Sequence, residues 1–172
     1  MIREQVCSAR ITPQDRVCPW QRVRLFDNFL RTLLHNPKHL FAPYVRPGMR
    51  VMDLGCGAGF ASIGLAKLVG QEGLVIAADL QPEMLEMVSE RARKAGLSDR
   101  IRIHQCQPDR IGIEGQLDFV VAFWMAHEVP DCQGFAKEIH ALLKPEGRFL
   151  VAEPKMHISH EDFETTICEA QD

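Results

Sequence analysis

Apolar residues along this chain follow two spacings, one typical of helices and one typical of strands. Helical spacing predicts helices over residues 20–34, 60–69, 82–95, 135–143 and 159–170, with a short one starting at Pro37. Short apolar or alternating runs predict strands over residues 51–54, 74–79, 101–106, 117–124 and 148–152. Turns are predicted at Pro47-Gly48 and at Pro145-Glu146-Gly147. Strands that alternate with helices predict a doubly wound, mostly parallel α/β sheet with helices on both faces.

The predicted elements also suggest how the chain is divided. Residues 1–47 are expected to form an arm and a helical lid, and residues 48–172 the α/β domain of a single globular unit. The connection over residues 107–116 is short for a full helix, so it is expected to be reduced to one turn. No apolar run approaches the roughly 20 residues that are needed to span a bilayer.

A glycine-rich stretch, Asp53-Leu54-Gly55-Cys56-Gly57-Ala58-Gly59, joins the first predicted strand to the next helix. Alternate glycines let the backbone turn sharply and let a ligand come close, and the helix start offers free N–H groups. A dinucleotide fingerprint would read G-x-G-x-x-G, whereas this loop reads G-x-G-x-G. Asp53 would repel a pyrophosphate but would suit a cationic ligand such as an ammonium or a sulfonium. The alternative is a purely structural turn.

A second carboxylate, Asp79, ends the second predicted strand, 20 residues after Gly59. There it can accept hydrogen bonds from two vicinal ribose hydroxyls. The alternative role is a partner of the next helix start. A ribose site alone does not separate an adenosylmethionine site from a nicotinamide site.

Composition and charge narrow the class of protein. The chain has 172 residues, of which 46% are hydrophobic and 25% charged, as in an ordinary soluble domain. Residues 1–50 carry nine Lys and Arg against three Asp and Glu, but no basic cluster interleaved with aromatics indicates nucleic-acid binding. The start lacks an apolar signal core, so a cytoplasmic protein is expected.

The cysteines and histidines give no metal prediction. Six cysteines occur without a C-x-x-C pair, which favours free thiols. His104 and Cys106 share one face of a predicted strand, but no further ligand spacing accompanies them.

The run at residues 53–59 resembles motif I of the class I S-adenosylmethionine-dependent methyltransferases. Residues 77–85, 118–131 and 142–150 are similar to later motifs of that family, in the family's order. The match is closest to the small-molecule branch that includes quinone-biosynthesis C-methyltransferases. The resemblance implies a Rossmann-like sheet of strand order 3-2-1-4-5, S-adenosylmethionine as cofactor and S-adenosylhomocysteine as product.

The resemblance also implies cofactor roles at the matched positions. The ribose would lie at Asp79, one adenine face at Leu80, and the adenine edge at Cys106, Gln107 and Pro108. Many relatives carry an Asp near Cys106; this chain does not, so Gln107 is the substitute acceptor. The methionine portion would contact the glycine loop and the end of the fourth strand: Asp53, Gly55, Cys56, Gly57, Gly59 and Phe123.

Methyl transfer from a sulfonium is an in-line displacement, so alignment supplies much of the acceleration and a catalytic residue is optional. His127 is the candidate general base, because its near-neutral titration suits proton removal. Its alternative role is a hydrogen-bonded histidine at a strand end. Candidate acceptor-binding residues are Glu128 and Glu153 at strand ends and Trp20 and Tyr44 in the predicted lid.

The leading hypothesis is therefore a methyltransferase that acts on a small or medium-sized acceptor. A nicotinamide-dependent oxidoreductase is disfavoured by the glycine spacing and by Asp53. The third hypothesis is a non-catalytic adenosylmethionine-binding module that docks a partner. Family members usually continue into an antiparallel hairpin after the last helix, and this sequence shows none. The fifth strand would then be an exposed edge, which could pair with a second copy to form a homodimer.

Overall fold

This computed structural model describes residues 19–20, 36–129 and 131–153. In these residues, helices connect most of the parallel strands. The elements follow in chain order: helix α1 (Pro37–Phe41), strand β1 (Arg50–Leu54), helix α2 (Phe60–Val69), strand β2 (Leu74–Asp79), helix α3 (Pro82–Ala95), strand β3 (Ile101–Gln105), strand β4 (Leu117–Phe123), helix α4 (Cys132–Leu142) and strand β5 (Leu143–Ala152). Short 3₁₀ turns cover Ser98–Arg100 and Ala126–Glu128.

The strands form one sheet in the order β3-β2-β1-β4-β5, and each neighbouring pair is parallel. This confirms the predicted fold class and strand order. The chain leaves β1 on one side towards β2 and later returns on the other side as β4. The carboxyl ends of β1 and β4 therefore border the switch point, where ligands bind in open sheets of this kind.

Two apolar clusters cover the two faces of the sheet. On one face α2 and α3 pack against β1, β2 and β4, through fully buried residues such as Leu65, Val88 and Phe119. On the other face α4 packs through Ile139, and the β3–β4 connection packs through Ile111. The helices therefore lie on both faces, as the alternation of strands and helices predicted.

Helix bounds agree with the sequence where the end signals are local. Helix α3 begins at Pro82 and is capped by Gly96 at φ +66°, as predicted. Helix α4 was predicted from residue 135 but begins at Cys132, because Asp131 caps it: its Oδ1 accepts a 2.9 Å hydrogen bond from the N–H of Gly134.

Strand bounds differ most at β5. The predicted strand over residues 148–152, preceded by a turn, was wrong in its start, because β5 already pairs with β4 at Leu143. Leu143 lies opposite Leu117, whereas Arg148 lies opposite Phe119. Three extra residues are therefore accommodated between these pairs, where the turn over residues 145–147 was expected. Strands β3 and β4 each end one residue earlier than predicted.

The connection between β3 and β4 contains no full helix in the described structure, as expected. Gln107 and Arg110 are joined by two backbone hydrogen bonds of 3.0 and 3.3 Å around a two-residue turn. The remainder runs without regular secondary structure to Leu117.

Some predictions fall outside the described residues: the arm over 1–18, nearly all of the helix over 20–34, the helix over 159–170 and the missing hairpin. The division at residue 47 and the pairing of a second copy along β5 also stay predictions. None of the helices in the described part of the chain combines the length and the hydropathy of a membrane span.

Candidate ligand site at the carboxyl ends of the strands

The glycine loop leaves β1 at Gly55 and enters α2 at Phe60. Gly55, Gly57 and Gly59 have φ values of +66°, +50° and +89°, a region that side chains rarely adopt. The N–H of Cys56 donates to the carbonyl of Ala78 at 3.0 Å, which ties the loop to β2. The loop is therefore fixed to the sheet where the two strands end.

The three glycines face different surroundings. A Cβ at Gly55 would lie 2.6 Å from Cγ of Met125, and one at Gly59 would lie 3.0 Å from Cγ2 of Val88. A Cβ at Gly57 would meet nothing within 4 Å. Gly55 and Gly59 thus permit close packing, while Gly57 opens into space where a ligand can approach the backbone.

Asp53 lies beneath this loop and is 1% exposed. Its Oδ2 accepts a 2.5 Å hydrogen bond from the hydroxyl of Ser62, which is fully buried on α2. Burial first, and then the charges of Asp53 and Asp79, raise the pKa of the Cys56 thiol well above its ordinary value. The charge of Asp53 therefore acts on the loop from below, through protein rather than through water.

Asp79 connects the end of β2 to the same loop. Its Oδ2 accepts from the N–H of Gly57 at 2.9 Å, and its Oδ1 accepts from the N–H of Gln81 at 2.9 Å. Burial raises the pKa of Asp79, and hydrogen bonds from the N–H groups of Gln81, Gly57 and Leu80 offset only part of that shift. Two ionised oxygens offer about four acceptor sites, so capacity for ribose hydroxyls remains.

An open cleft of about 490 Å³ lies beside Asp79, within the range of small-molecule sites. Its lining contains all four residues predicted to contact an adenine, together with one neighbour: Leu80, Cys106, Gln107, Pro108 and Gln105. Burial, followed by the charges of Asp79 and Glu138, raises the pKa of Cys106 to about 12. The Cys106 thiol is therefore neutral at physiological pH.

Gln107 was predicted to accept from the adenine amino group. Its Oε1 already accepts a 2.9 Å hydrogen bond from Nε of Arg110. A carbonyl oxygen has two lone pairs, so one remains for a ligand. Arg110 thereby holds the amide in one orientation.

Several residues at this end of the sheet were missed by sequence reasoning. Trp124 has φ +64°, the only positive value among the described non-glycine residues, and it donates from its N–H to the carbonyl of Ala152 at 2.8 Å. The following residue, Met125, covers Gly55. Such backbone strain in a bulky residue is often found at functional sites. No local sequence signal marks it.

Phe123 was predicted to lie beside the methionine portion. It ends β4 within an aromatic group, with ring centroids 5.4 Å from Trp124, 5.8 Å from Phe60 and 6.1 Å from Phe41. Phe60 directly follows the glycine loop, so the group borders that loop.

Most of the residues predicted to act in catalysis or acceptor binding lie at the carboxyl end of the sheet. His127 and Glu128 lie on the 3₁₀ turn that follows β4, and Glu153 follows β5, all at the carboxyl end of the sheet. The N–H of Trp20 donates to Oε1 of Gln81 at 3.2 Å, beside the cleft.

Tyr44 instead stacks on Phe119 at a centroid distance of 5.7 Å. Phe119 is four residues before the end of β4, so it lies about 13 Å from that end. The acceptor contact of Tyr44 stays a prediction.

Comparison with known proteins adds family information to this geometry. A family model described as a methyltransferase domain matches residues 46–172. The demethylmenaquinone methyltransferase of Lactobacillus johnsonii is 34% identical over 110 residues, which are 63% of this chain and 45% of that protein. The ubiquinone/menaquinone biosynthesis C-methyltransferase UbiE of Haemophilus ducreyi is 33% identical over 110 residues, 63% of this chain and 42% of that protein. The matched segment is thus less than half of each relative.

Among solved structures, a SAM-dependent methyltransferase from Aquifex aeolicus superimposes with a TM-score of 0.80. It is 24% identical, and the match covers 90% of this chain and 88% of that one. At this identity the likeness establishes the fold.

Proposed function

This chain belongs to the methyltransferase-domain family, and from that premise we propose that it transfers a methyl group from S-adenosylmethionine to a small-molecule acceptor. The observation that carries the proposal is that an open glycine loop, a ribose-type carboxylate and a cleft lie together at the carboxyl ends of the strands. Asp79 is this carboxylate. It accepts a hydrogen bond from the N–H of Gly57 in the loop, and it directly precedes Leu80, which lines the cleft together with Cys106.

The residues present fit this cofactor. Gly57 offers backbone next to open space, which a side chain would fill. Asp79 would accept from the ribose hydroxyls, and Leu80 with Cys106, Gln107 and Pro108 would enclose the adenine. Asp53 supplies negative charge beneath the loop, which favours a cationic group above it and disfavours a pyrophosphate.

Once bound, the cofactor supplies a methyl group that is activated by attachment to a sulfonium. The protein's task is then to align the acceptor and to exclude water. Phe123 and its aromatic neighbours give an apolar wall beside the glycine loop. His127, on the turn after β4, is the proposed proton acceptor for a hydroxyl or acidic carbon.

The names of the relatives support a proposal for the acceptor class. Two of them are named for demethylmenaquinone or for ubiquinone and menaquinone biosynthesis. We propose that the acceptor here is likewise a small ring compound of the quinone type. The apolar character of the residues around Phe123 supports this choice.

The experiment is calorimetry with S-adenosylmethionine, S-adenosylhomocysteine and NAD⁺, followed by measurement of S-adenosylhomocysteine formation with a reduced demethylated naphthoquinone. We expect both adenosyl ligands to bind and NAD⁺ not to bind. Asp79→Asn is expected to abolish binding, while the same change at the exposed Asp99, in the turn before β3, leaves it unchanged. Binding of NAD⁺ alone would refute the proposal, and binding without turnover over a broad acceptor panel would favour a non-catalytic module.

A further inference from the structure

The β3–β4 connection wraps over one face of the sheet without a helix to satisfy its backbone. Ile111, in the middle of this connection, is 3% exposed and packs in the apolar cluster of that face. Buried backbone N–H and C=O groups need partners, and here no helix provides them. The partners must come from other parts of the chain.

The carboxylate of Glu138 on α4 accepts hydrogen bonds from two backbone N–H groups of this connection. Its Oε1 accepts from the N–H of Ile111 at 2.9 Å and from the N–H of Gly112 at 3.0 Å, and its Oε2 accepts from Ile111 at 3.0 Å. His104 on β3 satisfies the other side, because its Nε2 lies 2.6 Å from the carbonyl oxygen of Ile111, which can only accept. Ile111 is thus held through both of its backbone polar groups.

The hydrogen bonds that Glu138 and His104 make to Ile111 lie close to the residues that line the cleft. Ile111 directly follows Arg110, whose backbone pairs with Gln107 and whose Nε holds the Gln107 amide. The charge of Glu138 also contributes to the raised pKa of Cys106, which lines the cleft. A shift at Ile111 would therefore move the residues that face a bound base.

We propose that Glu138 is a positioning residue that sets nucleobase selectivity at the donor site, through the segment 106–112. The inference rests on the proposed function, since it assumes that the cleft receives the adenine of S-adenosylmethionine. Glu138 does not line the cleft. It acts by fixing the Gln107–Arg110 turn relative to Leu80.

The test compares the affinities of S-adenosylhomocysteine and S-inosylhomocysteine, which differ at the base edge, for the full chain and for Glu138→Gln and Glu138→Ala. The wild type is expected to prefer the adenine compound. Both variants are expected to lower that preference by about fivefold or more, since the part-buried N–H of Ile111 loses its charged partner. Glu138→Gln keeps one acceptor oxygen and the length of the side chain, so it still gives the comparison if Glu138→Ala folds poorly.

Glu86→Gln makes the same chemical change on the exposed face of α3 and is expected to leave the preference unchanged. A purely structural role for Glu138 would weaken both ligands by the same factor, and that result would overturn the inference.

Amide hydrogen exchange gives a readout that needs no ligand. Glu138→Gln is expected to speed exchange over residues 106–112 while that of β1 and β4 stays unchanged. Equal protection in both proteins would also overturn the inference. A wild type that binds neither adenosyl ligand would instead refute the proposed function, and exchange would still decide whether Glu138 holds the segment.

Discussion

A methyl group added at Gly57 tests whether this glycine faces a ligand. Gly57→Ala places a Cβ into open space at φ +50°, and Gly96→Ala does so at φ +66° at the end of α3. Neither new Cβ would meet an atom within 4 Å, so the two variants share the backbone strain and no clash. Gly96 lies at the far end of the 14-residue α3, about 20 Å along the helix from its start near the cleft.

The expected stability effects are therefore alike. A left-handed backbone costs a residue with a side chain about 1–2 kcal/mol relative to glycine. For a chain of this size each 1 kcal/mol lowers Tm by about 2–4 °C, so both variants should melt about 2–8 °C below wild type.

Ligand affinity should separate the two variants. We expect calorimetry with S-adenosylhomocysteine to show binding weakened by about tenfold or more for Gly57→Ala, corresponding to about 1.4 kcal/mol. Gly96→Ala should bind within about twofold of wild type. Equal affinity of the two variants, at matched losses in Tm, would show that the ligand does not pack against Gly57.

Three further predictions concern buried polar groups. Ser62→Ala removes the hydroxyl donor to the buried Asp53 and should cost about 1.5–3 kcal/mol in thermal or urea unfolding, against under about 0.5 kcal/mol for the exposed Ser89→Ala. Because burial raises the pKa of Asp79, S-adenosylhomocysteine affinity should fall as the pH is lowered and the carboxylate protonates, and this fall should begin at a higher pH than for an ordinary aspartate; a flat profile would contradict the ribose role. With its pKa raised to about 12, Cys106 should react with iodoacetamide at about pH 8 roughly a hundredfold more slowly than an ordinary thiol, as followed by peptide mass spectrometry.

Local signals were sufficient for much of the fold. Pro82 begins α3 and Gly96 ends it. Both act through their own backbone preferences, so the residue type alone is enough to predict these helix ends. The start of β5 could not be read in this way, because Leu143 is a strand residue only by virtue of its pairing with Leu117. Pairing between distant segments is invisible to periodicity within one segment.

The same limit applies to the site. The adenine-contact candidates follow strand ends, and parallel pairing brings them around one cleft, although their ligand roles stay predictions. Ser62 and Glu138 belong to helices, nine and 27 residues from the groups that they bond. No motif marks them, since a helix residue is assigned a partner only when packing is known. The stacking of Tyr44 on Phe119 was missed for the same reason, because it depends on how the α1 segment docks.

The extra residues in β5 also bear on how this protein behaves at high concentration. Within the described sheet β5 has a neighbour on one side only, and Pro145, which has no N–H, falls among these residues. An uninterrupted row of amide donors would let identical molecules stack side by side into fibres. Here Pro145 interrupts that row near its beginning, so the part of β5 that presents a continuous edge to another molecule is limited to the five residues after Gly147.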